Sequence, residues 1–140
     1  MCIRFGNGQN RDDGDRFLLY PCRIVFLYKN IKYKKDYIMI IFNTTYHVDN
    51  LVLDDFIKFL RNEFIPAATA SKELSEPRLT RVLAQEPQEG SSFALQFEVE
   101  ELEKLDDWYD QIGDNLNEDL VAKFGSQVVG FSTLLEVIDL

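Results

Sequence analysis

The sharpest alternation in the chain runs through residues 39–48, MIIFNTTYHV. There Ile40, Phe42, Thr44, Tyr46 and Val48 fall on one face of an extended segment, and Ile41, Asn43, Thr45 and His47 on the other. The first set is large, aromatic or β-branched and suits a pleated surface pressed on a core, while the second is small or polar. One face is dry and the other is not, which predicts a largely antiparallel sheet with helices gathered on its apolar side.

The period then changes. Leu53, Phe56, Ile57, Leu60 and Phe64 recur at three and four, predicting a helix capped by Asp49 or Asn50, with Asp54 and Asp55 against its dipole and Pro66 as its limit. Residues 67–75 read as a connection of small and polar residues. Alternation returns over residues 76–85, with Leu79, Arg81 and Leu83 opposite Arg78, Thr80 and Val82, and Pro77 confines this strand to a start or an edge. After a turn over residues 86–92, residues 92–100 form the clearest alternating strand, Phe93, Leu95, Phe97 and Val99 against Ala94, Gln96 and Glu98, and the two strands make a hairpin.

Residues 101–124 return to a helical stripe of Leu102, Leu105, Tyr109, Ile112, Leu116, Leu120 and Phe124. Gly113 is a point of bending or splitting and Gly125 a stop. Residues 127–138 close as a strand, read with Val129, Phe131, Thr133, Leu135 and Val137 inward and Ser132, Leu134 and Glu136 outward. The order β-α-β-β-α-β predicts an α+β, ferredoxin-like sandwich with a four-stranded antiparallel sheet and two helices on one face. Right-handed crossovers put the first and third strands at its centre.

A length of 140 residues suits one domain, and the formal charge of −9 argues against nucleic acid as partner, because phosphate binding relies on clustered Lys and Arg. That charge is unevenly divided: residues 1–38 carry +4, which leaves −13 for residues 39–140. Residues 1–38 show no lasting period, so the expectation is a basic N-terminal extension, disordered or lying ahead of a true start at Met39, followed by one domain over residues 39–140. The apolar run at residues 17–28 makes a poor targeting segment. Pro21 and Arg23 interrupt it, and it is too short to span a bilayer, so no membrane partner is expected. Cys2 and Cys22 form no CxxC and have no His at metal spacing, which predicts no metal, no disulfide framework and a cytoplasmic location.

The motifs that carry common chemistries are missing: no Gly-rich phosphate loop, no HExxH and no GxSxG occurs. Arg is also absent from the turn after the first strand, where Val48, Asp49 and Asn50 stand and where an acylphosphatase would need one. The candidate pocket or interface therefore rests on the polar strand face: His47 beside Asn43 and Thr45, with Gln96, Arg81 and Glu136 expected nearby. In a pocket His47 could serve as a base or an axial ligand; as a plain surface residue it would hold a hydrogen bond. Arg78 and Arg81 suit an anion or neighbouring acids. Trp108 and Tyr109 divide between core and a pocket mouth, and the acidic series from Glu98 to Asp110 is a solvated face.

Four stretches also resemble, in order and spacing, a small bacterial family of domains of unknown function whose members open M-I-I-Y-N-V-T and close F-x-T-L-L-E-V-I. They are MIIFNTTYHVD, Phe64-Ile65-Pro66, Phe93-Ala94-Leu95-Gln96-Phe97 and Phe131-Ser132-Thr133-Leu134-Leu135-Glu136-Val137, and the resemblance begins at Met39. Members of that family often carry His where Phe64 stands here. The resemblance implies the ferredoxin-like fold and similarity to the dimeric α/β-barrel class, in which two sheets face each other, and it implies no activity or cofactor.

Two functions follow as expectations. The first is a homodimeric, non-enzymatic binding or assembly module, pairing through a half-apolar open face of Ile41, Thr45, Ala94 and Leu134. The alternative is a cofactor-less or haem-type monooxygenase-like enzyme, holding a small-molecule ligand between paired sheets with His47, Asn43, Gln96 or Arg81.

Overall fold

A computed structural model describes residues 39–85 and 89–140. The expectation for residues 1–38 lies outside them. Strand β1 (Ile40–Val48) leads through a short 3-10 turn (Asn50–Val52) into helix α1, built from Leu53–Phe59, a π turn at Leu60–Phe64, and Ile65–Thr69. The hairpin β2 (Ser75–Arg81) and β3 (Ser91–Val99) follows. Helix α2 then runs through Leu102–Trp108, a second π turn at Tyr109–Gly113, and Asp114–Phe124, and β4 (Val128–Glu136) completes the chain. The sheet order is β2-β3-β1-β4, antiparallel throughout. This is the ferredoxin-like α+β arrangement, with β1 and β3 central.

Asp49 caps the turn into α1, accepting from the Leu51 amide at 2.8 Å. Pro66 does not end that helix as its sequence suggests. Pro lacks an N–H and its ring clashes with the carbonyl four residues back. The π turn just before it, where the Ile65 amide reaches the Leu60 carbonyl, widens the backbone there and lets the helix run on to Thr69.

Gly113 likewise does not split α2 into separate helices. It closes the second π turn, and a Cβ there would meet Trp108 Cζ3 at 2.5 Å and Tyr109 Cδ1 at 2.7 Å. The missing side chain makes room for both rings. Trp108 and Tyr109 are therefore both core, 1% and 3% exposed, and neither lines a pocket mouth. Trp108 donates its indole N–H to the Ala68 carbonyl at 2.8 Å, fastening α2 to the end of α1. Phe42 meets both rings edge-on, and Tyr46, Phe56 and Phe124 continue the edge-to-face contacts under the helices.

The largest departure from the sequence reading concerns β4, whose faces are exchanged. Val128, Gly130 and Ser132 are buried against the helices and Leu134 packs partly against the same core, while Val129, Phe131 and Leu135 face outward. The register explains it. Gly130 lies opposite Tyr46 and Ser132 opposite Thr44, so the large side chains of β1 and α2 already fill the space above β4. Ser132 and Thr44 satisfy each other there at 2.8 Å. The Tyr109 hydroxyl lies buried beside Ser132 without a hydrogen bond of good geometry, and burial pushes its titration, like that of Tyr46, well above the ordinary tyrosine value.

Candidate functional site

Residues paired across antiparallel strands share a face, so the register maps the uncovered side of the sheet row by row. At one end lie Ser92, His47 and Val129, followed by Thr80, Ala94, Thr45 and Phe131. The third row is Arg78, Gln96, Asn43 and Thr133, and the last is Glu98, Ile41 and Leu135. The charged members, Arg78 and Glu98, sit on the β2–β3 half.

The third row is a hydrogen-bonded ladder over three strands. Gln96 donates to Asn43 Oδ1 at 3.2 Å, and the Asn43 amide donates to Thr133 Oγ1 at 3.2 Å and to Thr45 Oγ1 at 3.3 Å. Asn43 is thus saturated by its neighbours and fixes one orientation of the row.

His47 stands apart from this ladder. Its Nε2–H donates to the Glu89 carbonyl at 3.0 Å, and Nδ1 shares a hydrogen bond with the Ser92 hydroxyl at 3.1 Å. Gly90, with φ +102°, lets the hairpin chain close over the imidazole, since a Cβ there would stand 2.5 Å from the Val48 carbonyl and 2.9 Å from Nε2. Both ring nitrogens are engaged. The arrangement buttresses the hairpin and offers a substrate no vacant nitrogen.

Asn43, Thr45 and Gln96 therefore come together, and His47 shares their face at its end. Arg81 and Glu136 do not join them. Arg81 pairs with Phe93, whose side chain faces the helices, and its guanidinium lies 5.1 Å from the centre of that ring. Glu136 lies opposite Ile40, at the far end of β1 from His47 and on the helix-side parity. The enzyme alternative draws on His47 with Asn43, Gln96 or Arg81, and of these Arg81 leaves the shared face. Leu134 leaves the predicted open-face set for the same reason of parity, and Val129, Phe131 and Leu135 replace it, each exposed by 42–43%. Thr133 was missed as the partner of Asn43. The signal was present in Gly130 and Ser132, whose alternate small side chains mark a strand face lying under large ones.

Among the described residues no group of three or more His, Cys, Asp or Glu is placed to hold a metal ion, and the acidic series runs from the open sheet face at Glu98 onto the exposed side of α2 at Glu103, Asp107 and Asp110. No helix there is long and apolar enough to cross a membrane. Asp114, just after the second π turn, has its carboxyl pushed up by partial burial and by the nearby Asp110 and Glu118.

Residues 39–138 match the profile of a family described as Domain of unknown function (DUF4286). No curated protein matches the chain.

Proposed function

The chain belongs to the DUF4286 family, whose description assigns no activity, and from that premise and the geometry of the open face we propose that it is a homodimeric, non-enzymatic binding or assembly module of the cytosol. The observation that carries this reading is the outward column of Val129, Phe131 and Leu135 beside Ile41, apolar surface on a domain whose residues 39–140 carry −13. A surface so acidic repels its own copy everywhere except where charge is sparse. The open face is such a place, with Arg78 and Glu98 offsetting each other.

Area supports self-pairing too. Three strands of nine residues and one of seven, side by side, span roughly 30 Å by 19 Å, so two facing sheets cover roughly 1,100 Å², just above the ~1,000 Å² a specific interface needs. A cytosolic location is favoured by the two cysteines, which show neither a disulfide framework nor metal spacing.

Sedimentation velocity of the full chain tests the reading. Wild type is expected as a homo-oligomer, and Thr45→Lys, which places a charge at the middle of the open face, is expected at half its mass. A monomeric wild type, or a Thr45→Lys protein of unchanged mass, overturns it.

A further inference from the structure

The two edges of the sheet are built differently. β2 carries Pro77, a bulge between Ser75 and Arg78, Glu76 at φ 49°, and the exposed Arg78 and Arg81, all devices that deter another strand from pairing. β4 has none of these. From Val128 to Leu135 it holds no charge, no proline and no bulge, and its pairing with β1 is unbroken over nine residues.

The backbone bonds show which of its groups face away from β1. The Val137 amide donates to the Met39 carbonyl and the Asp49 amide to the Gln127 carbonyl, both at 2.9 Å, so odd-numbered residues of β4 face β1. The amides and carbonyls of Gly130, Ser132, Leu134 and Glu136 point away from it, and among the described residues no strand lies beyond β4. This row is a strand-addition site, distinct from the open face, and either surface can pair without the other.

We propose that β4 pairs antiparallel with β4 of a second copy about a two-fold axis at Thr133, joining two sheets into one of eight strands. This register sets Phe131 against Leu135 of the other copy and Val129 against Val137, at non-hydrogen-bonded positions where side chains approach most closely. Ser132 exchanges backbone bonds with Leu134, and Gly130 with Glu136. A second copy fits better than a foreign strand because the edge is complementary to itself: it is uncharged at its centre, and each outward apolar residue meets another.

Amide hydrogen exchange on the Thr45→Lys variant of the full chain, in which the open face is blocked, isolates the edge. Gly130, Ser132 and Leu134 are expected to exchange slowly at high concentration and at least tenfold faster on dilution. Adding Glu136→Pro, which removes an edge-facing N–H at an exposed strand end, is expected to abolish that slowing. A cross-link supplies an independent reading. With Cys2 and Cys22 replaced by Ser, Thr133→Cys should oxidise to a disulfide-linked pair, while Thr80→Cys should not. Unprotected amides together with an unlinked Thr133→Cys overturn the edge and leave the open-face reading standing. Slow exchange in a species that stays monomeric overturns it too, by showing that another part of the same chain covers the edge.

Discussion

β1 and β4 are neighbours of equal length with opposite sorting. β1 turns Phe42, Tyr46 and Val48 to the helices and Asn43, Thr45 and His47 to the open side, whereas β4 turns Gly130 and Ser132 inward and Val129, Phe131 and Leu135 outward. Hydrophobic burial alone would sort both strands alike. Space decides instead: Tyr46 lies opposite Gly130 and the buried Tyr109 hydroxyl beside Ser132, so at these two positions small side chains fit beneath the rings. What is left over is an apolar column on the outside, which the fold itself does not use.

If that contrast is right, inner and outer substitutions should differ in kind. Trp108→Ala is the severest test of the inner side, removing a fully buried ring and the donor to Ala68, and should cost about 3–5 kcal/mol in denaturant unfolding. Gly113→Ala sharpens the claim that space is the constraint. Its methyl group collides with Trp108 and Tyr109, and a loss of about 1–3 kcal/mol is expected, although Ala is the better helix former. Ser132→Ala removes one of the partners of the buried Thr44 hydroxyl and should cost about 1 kcal/mol. Phe131→Ser, on the outside, should change the intrinsic stability of the isolated protomer by no more than about 0.5 kcal/mol while lowering the oligomer mass.

The smallest effect belongs to Asp114. Its pKa is raised in the folded state, so the native protein binds that proton more tightly than the unfolded chain does. The ionised carboxylate is therefore a penalty, present above the folded pKa and fading as pH falls toward the ordinary aspartate range. Asp114→Asn should raise Tm slightly at pH 7, and that gain should vanish in acid.

Much of this fold is legible in the sequence because local pattern and global packing agree in β1, β3 and α2, where Phe42, Phe97 and Leu120 stand at the spacing their element needs. β4 misleads because alternation fixes which residues share a face but not which face is covered, and Phe131 is as apolar as a core residue. Pro66 misleads because a π turn leaves no mark in periodicity. Of the site, Asn43, Thr45 and Gln96 follow from strand parity. Arg81 and Glu136 depend on the register between strands, which a single sequence carries only through turns and bulges.

Native mass spectrometry of the full chain from its own host reports oligomer and retained small molecules together. Self-pairing of the open face should appear as an even-numbered homo-oligomer with no added mass. A monomer would contradict it, and a stoichiometric small molecule on the oligomer would favour a ligand pocket between paired sheets.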